Sequence, residues 1–401
     1  MLRKLRYTRI LILTVAVSAS ALVSGSWSAF AAPQQPCVSD TGECATAPPI
    51  QYPIDSTQPV VPAPLTQPQP VPDPIVPPTM TPFQPPSGGG LQLGGAGLLA
   101  SSSVPAVSPG YIDPAMIRSQ FRLRYDSAFG NNFPDRAEFF YAACGCGGGP
   151  GPGNPGNPPS ANDDVDFQEL RAYLELASDN QFSVFAELPF RFIDPGVDGP
   201  AANTFGPTGE TGGIGDVEAG FRYSLINSAD TLATFQLRGY FPTGDARRGL
   251  GTDHVSLEPA LLYQEQLSNN AFAVAELRDW IPISGTPGFS GNVLRYGVGL
   301  GYTIDPCAKH TITPIAELVG WSVLDGQQTN LDAVGGRIGG NALESARTTI
   351  VNAKIGVRIG LGDNGNPLLD GGSVYVGYGR SLTGSRWYED IFRLEYQMPI
   401  R

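Results

Sequence analysis

Arginine and glutamate residues recur at alternate positions along many stretches of the chain after about residue 116. In one of them, Arg118, Arg122 and Arg124 alternate with Phe121 and Leu123. Alternate side chains lie on the same face of a β-strand, so each stretch has one charged face and one apolar face. Facing charges of opposite sign can neutralise one another or line a passage for polar solutes. The pattern therefore indicates either a charge-lined channel or a sealed internal charge zipper.

The charged residues on these alternating faces form the candidate site. We expect them to point into the lumen of a barrel, where opposite charges satisfy each other away from lipid. If the strands formed a soluble β-sandwich instead, the same residues would lie on its solvated outer face. The predicted lumen-lining residues are Arg118, Arg122, Arg124, Arg171, Glu175, Glu187, Arg191, Glu218, Arg222, Arg238, Glu258, Glu276, Arg278, Arg295, Glu317, Lys354, Arg358, Arg393 and Glu395.

A histidine and a serine lie two residues apart at His254 and Ser256, a spacing that places both on one face of a strand. A histidine next to a serine can activate it as a nucleophile. The placement is similar to the His-x-Ser of outer-membrane phospholipase A, although Leu257-Glu258-Pro259 stands where that family has Asn-Gly-Arg. A surface phospholipase is a minor alternative, and we expect the chain not to be an enzyme.

Five cysteines and two histidines limit the metal and redox chemistry of the chain. Cys37 and Cys44 close a short loop and can form a disulfide, Cys144 and Cys146 lie in a Cys-Gly-Cys motif, and Cys307 stands alone. An odd count leaves at least one thiol without a partner in the chain. There is no paired Cys-x-x-Cys motif and no flanking histidine. We therefore expect neither a metal site nor a cofactor.

The first 31 residues carry the features of a secretory signal peptide: four basic residues, an apolar run and Ala29-Phe30-Ala31. An uncleaved anchor helix is less favoured, because the apolar run is short and is broken by polar residues. Residues 32–110 are rich in Pro, Gln and Gly and carry almost no charge, which predicts a disordered tail. This tail would be a periplasmic linker or a contact to the cell wall.

Residues 111–401 contain about twelve alternating segments, which predict the strands of a barrel. Short gaps between segments alternate with mostly longer ones, as periplasmic turns and external loops do in outer-membrane barrels. The predicted fold is therefore all-β, a transmembrane antiparallel up-and-down β-barrel of about twelve strands. The expected spans are 116–129, 164–177, 181–193, 214–226, 231–243, 254–267, 271–283, 292–304, 310–323, 347–361, 372–383 and 388–399.

Composition agrees with that fold and excludes other classes of protein. The 401 residues include 50 Gly and 38 Pro, and only 15% of them are charged, which argues against an ordinary helical enzyme. The formal net charge of −12 argues against a nucleic-acid-binding protein, which needs a basic surface.

Aromatic residues are expected at both rims of the barrel. Near the short-turn ends, on the apolar face, a membrane-interface girdle is predicted from Tyr223, Tyr263, Tyr302 and Tyr396. At the long-loop ends, but on the charged face, lie Trp280, Trp321 and Trp387. Either a β-bulge shifts the register there, or these tryptophans line the outer mouth.

Motifs around the fourth to sixth predicted strands resemble a known family. Gly213-Ile214-Gly215-Asp216-Val217 leads into a strand, and Phe241-Pro242-Thr243-Gly244-Asp245 is followed by Gly249-Leu250-Gly251-Thr252. Their order resembles the outer-membrane barrel family named for the MetA pathway of phenol degradation, over about 116–401. The resemblance implies passage of small compounds, including aromatic ones, across the outer membrane. The chain ends on Ile400-Arg401, whereas such barrels commonly end on Phe or Trp.

We therefore predict a barrel in the outer membrane of a Gram-negative-type bacterium, with its tail in the periplasm. The first hypothesis is a porin-like passive channel or transporter, in which neutral or zwitterionic solutes diffuse past fixed charges more easily than strong ions. The alternative is a structural barrel that anchors a tail bound to the cell wall or to a partner. Outer-membrane lipids and a small solute are the expected partners, and nucleic acid is not.

Overall fold

The computed structural model describes residues 108–133, 165–194, 211–285, 289–329, 342–362, 365–366 and 369–400. The predicted signal peptide, nearly all of the predicted disordered tail, and Cys37 and Cys44 lie outside these residues. Within the described parts of the chain, no helix is long and apolar enough to span a membrane.

Antiparallel strands make up most of the described structure. In chain order they are β1 (Gln120–Asn131), β2 (Val165–Ala177), β3 (Phe182–Asp194), β4 (Thr211–Ile214), β5 (Val217–Asn227), β6 (Thr231–Phe241), β7 (Ser256–Gln266), β8 (Ala271–Pro282), β9 (Val293–Tyr302), β10 (Ile312–Val323), β11 (Gln327–Thr329), β12 (Ala342–Glu344), β13 (Thr349–Gly360), β14 (Ser373–Ser381) and β15 (Asp390–Pro399). A short 3₁₀ helix, Ala246–Arg248, lies between β6 and β7.

Twelve of these strands form a closed barrel. Successive barrel strands pair antiparallel around the ring, and β1 pairs with β15 from Gln120↔Pro399 to Phe129↔Asp390, which closes it. β4 pairs with β3 beside β5, while β11 and β12 form a separate hairpin in the loop after β10. The predicted antiparallel barrel of about twelve strands is confirmed.

The two faces of the barrel wall have opposite chemistry. In β3, Val184 and Leu188 are 47% and 45% exposed, whereas Glu187 and Arg191 are 2% and 1% exposed. The same alternation recurs in β10 and β13, with exposed leucine and isoleucine outside and charged residues inside. In a soluble sandwich the apolar faces would instead meet in a core. The outward apolar face excludes the sandwich interpretation.

The barrel has a short-turn end and a long-loop end. Short connections at 178–181, 228–230 and 267–270 lie at one end, and longer ones at 242–255 and 324–348 lie at the other. The connection at 361–372 is longer than its neighbours at the short-turn end, and the loop at 382–389 is brief. Both departures were visible in the spacing of the sequence.

The first strand begins later than the sequence pattern predicts. We expected a strand from residue 116, but β1 begins at Gln120. The difference arises because residues 108–119, here called the inner segment, run through the interior of the barrel. Ile112, Ala115 and Ile117 are buried there. The sequence pattern cannot show where the segment ends and the strand begins, because apolar and polar residues alternate, with one exception, from Ile117 to Leu123 across the boundary.

Candidate functional site

The inner segment fills the lumen toward the short-turn end. Arg358, near the short-turn end of β13, donates from Nε to the Ser108 carbonyl at 2.7 Å and from Nη2 to the Pro109 carbonyl at 2.6 Å. Further into the lumen, Arg393 donates to the Gly110 carbonyl at 3.1 Å. The first described residues of the chain are thus bound to the wall through their backbone.

Glu317 in β10 binds the segment at the middle of the barrel. Its carboxylate accepts hydrogen bonds from the backbone N–H groups of Gly110 at 3.1 Å, Tyr111 at 2.7 Å and Ile112 at 3.1 Å. A carboxylate that accepts several backbone N–H groups makes charge-assisted hydrogen bonds, which are stronger than neutral ones. Glu317 is therefore the principal anchor for the rising part of the segment.

After Asp113 the segment turns back toward the short-turn end. Arg222 donates to the Pro114 carbonyl and, at 3.1 Å, to the Met116 carbonyl. The Thr234 hydroxyl donates to the Ala115 carbonyl at 2.5 Å. The segment therefore rises from the short-turn end, reverses at mid-lumen and descends to the start of β1. Its polar backbone groups are bound to residues that the sequence pattern places on the inner face.

Asp113 lies at the reversal and touches three arginines from separate strands. Its carboxylate is 2.8 Å from Arg278, 3.3 Å from Arg238 and 3.5 Å from Arg122. Burial by itself would raise the pKa of Asp113, but the guanidinium groups of Arg278, Arg122 and Arg238 together hold that pKa well below its usual range. Asp113 is therefore an anion at neutral pH and is bound to the wall through its charge.

Nearly all of the wall cations that bind the segment also have carboxylate partners in the wall. These pairs are Arg358–Glu395 at 2.8 Å, Arg393–Asp126 at 2.7 Å, Arg222–Glu175 at 3.0 Å, Arg278–Glu258 at 3.2 Å, Arg295–Glu276 at 2.8 Å and Arg238–Glu218. Arg122 differs, because its contacts are Asp113 and the ring of Tyr173, 4.0 Å from the guanidinium carbon. The charges of the wall therefore remain largely paired without the segment.

A cavity of about 80 Å³ lies beside the inner segment, and its lining is strongly basic. The carboxylates at its surface are those of Asp113, Asp126 and Glu169. Aromatic rings complete the lining, among them Trp321 and Tyr388. Seven cations face it: Arg124, Arg171, Arg238, Arg278, Arg295, Lys354 and Arg393.

The predicted lumen-lining residues all lie on the interior side. Within the strands they are buried, except that Arg124 and Arg295 keep a small exposed fraction toward the lumen. Arg118 is the exception in position, because it belongs to the inner segment and not to a strand. Its guanidinium group donates to the side chains of Gln120 at 3.2 Å and Ser108 at 3.4 Å. The structure thus brings the predicted charges together around the segment.

The two predicted aromatic sets lie on opposite faces of the wall. Trp280, Trp321 and Trp387 are buried on the inner side, and the rings of Trp321 and Trp387 are 5.1 Å apart. No register shift occurs at Trp280 in β8 or at Trp321 in β10, so neither needs a bulge, and Trp387 lies in the loop between β14 and β15. Tyr223, Tyr263 and Tyr302 are exposed on the apolar exterior, and Tyr396 is partly exposed there.

Sequence reasoning missed the inner segment and its role. It placed residues up to 110 in the tail and gave no function to Tyr111, Asp113, Asp126 or Tyr388. One signal was present: Tyr111-Ile112-Asp113 introduces an aromatic, a branched apolar and an acidic residue directly after a stretch of Pro, Gly and Ser. Such residues favour order after a segment that cannot form a core.

The cysteine and His-Ser predictions have different outcomes. Cys307 was expected to stand alone but forms a disulfide bond, and the other four cysteines lie outside the described residues. Pairing of Cys37 with Cys44 stays a prediction. His254 and Ser256 are both buried, and the Ser256 hydroxyl has no hydrogen-bond partner among the described residues. The hydrogen bond that would activate this serine as a nucleophile is therefore not formed.

Comparison with known proteins identifies similar folds. No family model and no curated protein matches the chain, so the resemblance to the family named for the MetA pathway is not confirmed. An outer membrane channel from Pseudomonas putida F1 is 13% identical, with a TM-score of 0.44 over 73% of this chain and 100% of that chain. The KdgM porin in complex with disordered oligogalacturonate is 9% identical, with a TM-score of 0.34 over 70% and 99%.

A third similar structure is the β domain of the Bordetella autotransporter BrkA, 14% identical, with a TM-score of 0.40 over 71% of this chain and 100% of that chain. Identities and TM-scores this low transfer neither substrate nor activity. The fold is established by the strand register itself.

Proposed function

We propose that this protein is a bacterial outer-membrane barrel that acts as a channel for small solutes and is closed, in the state described, by its own inner segment. The observation that carries the proposal is the triple hydrogen bond from Gly110, Tyr111 and Ile112 to Glu317, in the middle of a closed barrel. It places the chain's own backbone where a solute would have to pass.

The exterior of the barrel supports insertion in a membrane. Apolar side chains such as Leu261, Leu300 and Ile355 are exposed on the outside of three different strands. A closed barrel pairs all the backbone groups of its strands, and it is one of the two architectures that can span a bilayer. Exposed tyrosines near the short-turn ends fit the girdle found at membrane interfaces. An orientation with the short turns in the periplasm places the inner segment at the periplasmic side.

The interior supports a closed channel whose segment can leave. The described cavity is too small for continuous passage of a solute, so conduction requires the inner segment to move. Such movement is feasible because Arg222, Arg358 and Arg393 keep their carboxylate partners in the wall. Departure of the segment removes the partners of two buried charges, Arg122 and Glu317, and the Glu317 carboxylate then faces Lys354 across the β10–β13 pair.

The solutes we propose are small, and the charged wall favours those with polar groups. Aromatic solutes, which the family resemblance implies, are supported by the rings of Trp321 and Tyr388 at the cavity. We further propose that the protein is not an enzyme, since the Ser256 hydroxyl has no hydrogen-bonded base in the part of the chain that the structure describes.

The decisive experiment compares permeation through the unmodified chain and through a variant with a weakened segment. We expect liposome swelling and planar-bilayer recordings to show rare openings for the former. Glu317→Gln combined with Asp113→Asn should open far more often, because it removes both carboxylate charges at the anchors. Glu389→Gln, at an exposed loop acid, is the matched control and should behave like the unmodified chain.

A structural barrel that anchors the tail is the second candidate, and the extensive pairing of its internal charges favours it. If a folded double variant, identified by its altered migration before and after boiling, passed no solute in either assay, the channel proposal would be abandoned. The structural role would then be the remaining proposal. It would be tested by measuring whether the tail binds to cell wall.

A further inference from the structure

Lys354 differs from the other cations on the inner face. It is the one lysine in the barrel strands, whereas its counterparts there are arginines. The side chain is only 4% exposed, yet it forms no ion pair with a carboxylate of the described residues. The other six cations of the cavity each have a carboxylate within 4 Å. A buried ammonium without a counter-charge is unfavourable, which calls for an anion from elsewhere.

The natural partner of Lys354 is already engaged. Glu317 is its direct neighbour across the β10–β13 pair. The Glu317 carboxylate instead accepts the three backbone N–H groups of the inner segment. Gly379 faces Lys354 on the other side, and a Cβ atom there would lie 2.9 Å from the Lys354 Cγ atom. The strand neighbours therefore leave room for the lysine side chain but give it no free carboxylate.

Aromatic rings hold the ammonium group at the cavity. Its Nζ atom lies 4.1 Å from the ring centre of Tyr111, 5.2 Å from that of Trp321 and 5.4 Å from that of Tyr388. Cation–π contacts stabilise the charged form and fix its position without neutralising it. The positive charge of Lys354 is thus presented to the cavity.

Two arginines reinforce the positive charge at this point. The Arg393 guanidinium carbon is 4.0 Å from the Tyr111 ring centre, and that of Arg295 is 5.6 Å from the Trp321 ring centre. Both arginines line the cavity together with Lys354. Lys354 shares the Tyr111 ring with Arg393 and the Trp321 ring with Arg295, so it is repelled from both sides, and an anion among the three cations relieves that repulsion.

We propose that the cavity bounded by Lys354, Arg295 and Arg393 is a binding site for one small oxyanion, a carboxylate or a phosphate. A cavity of about 80 Å³ has room for a few waters or one such group. The ammonium supplies up to three donors, and the neighbouring rings accommodate a small apolar substituent on a carboxylate. The site does not depend on conduction, because binding requires only the folded barrel with its inner segment docked.

The test is calorimetric titration of the folded full chain in detergent at neutral pH and constant ionic strength, with acetate and phosphate titrated against chloride. We expect saturable binding of at least one oxyanion. The anion that binds more strongly shows whether the site prefers a carboxylate or a phosphate. Lys354→Met should weaken it by about tenfold or more, because a charge-assisted hydrogen bond is lost. Lys309→Met is the matched control at an exposed turn lysine and should bind as the parent does.

Three outcomes would overturn the site. They are no saturable binding of either anion, undiminished binding by Lys354→Met, and equal weakening by Lys309→Met. Folding of each variant is checked by its migration before and after boiling. If Lys354→Met does not fold, Arg295→Gln serves in its place, and undiminished binding by that variant has the same consequence.

Discussion

The lumen is filled in two different ways along its length. Toward the short-turn end, main-chain groups of the inner segment occupy the space, and Arg222, Arg358 and Glu317 bind them. Beside the reversal at Asp113, charged and aromatic side chains from several strands surround a cavity. A backbone obstruction blocks every solute alike, whereas a cavity lined with charges and rings discriminates among solutes. Closure and selectivity are therefore separable properties of this barrel.

The largest effect expected on the segment-filled part follows from Glu317→Ala. Three buried N–H groups lose their acceptor at once, which should lower the free energy of unfolding by about 3 kcal/mol. The measurement is urea unfolding of the barrel in lipid vesicles. Glu389→Ala, at a carboxylate with 44% of its side chain exposed, is the control and should change stability little. A similar loss in both variants would mean that Glu317 is not an anchor.

A smaller effect, dependent on pH, is expected at Asp113. Since the wall arginines hold the pKa of Asp113 below its ordinary value of 3.8, its charge favours docking of the segment above that value. This contribution of Asp113 to docking is lost as the pH drops from about 3.8 through the lower pKa that Asp113 has in the docked segment. Acid should therefore make the inner segment accessible to a protease active at low pH. In Asp113→Asn the accessibility should already be higher at neutral pH, and an unchanged response to acid there would assign the effect to other groups.

The smallest effect is expected at the cavity. Trp321→Phe keeps a ring beside Lys354 but weakens the cation–π contact. The favourable free energy of that contact should fall by about 0.5 kcal/mol. Protease protection of the inner segment should not change, because Trp321 donates no hydrogen bond to it. Loss of that protection would show that the two parts of the lumen are coupled, and that closure and selectivity are not separable.

The sequence predicted the wall of the barrel well because a period of two reports which face each side chain occupies. Glu187 and Arg191 could be placed inside, and Val184 and Leu188 outside, from spacing alone. The tryptophans also followed the simple count to the inner face. Strand ends were less predictable at Met116, because the alternation continues through a segment that is not part of the sheet.

The contents of the lumen could not be predicted in the same way. The inner segment is bound mainly through carbonyl and N–H groups, which every residue has and which leave no mark on residue type. Glu317 binds the backbone of Gly110, about 200 positions away, and its neighbour Lys354 has no ion pair among the described residues. Neither outcome follows from residue type and spacing. Charge at alternate positions showed that the interior was polar, but not which charges would meet.

The seam between β1 and β15 has a consequence for assembly. The inner segment continues directly into β1, yet it binds residues of β5, β6, β10, β13 and β15, such as Arg393 in the last strand. If β1 paired with β15 first, the segment would have to thread into a closed barrel. Threading is avoided if an open, curved sheet first forms around the segment and the β1–β15 pair forms last. Contacts spanning most of the chain would then make final closure the slow step of biogenesis.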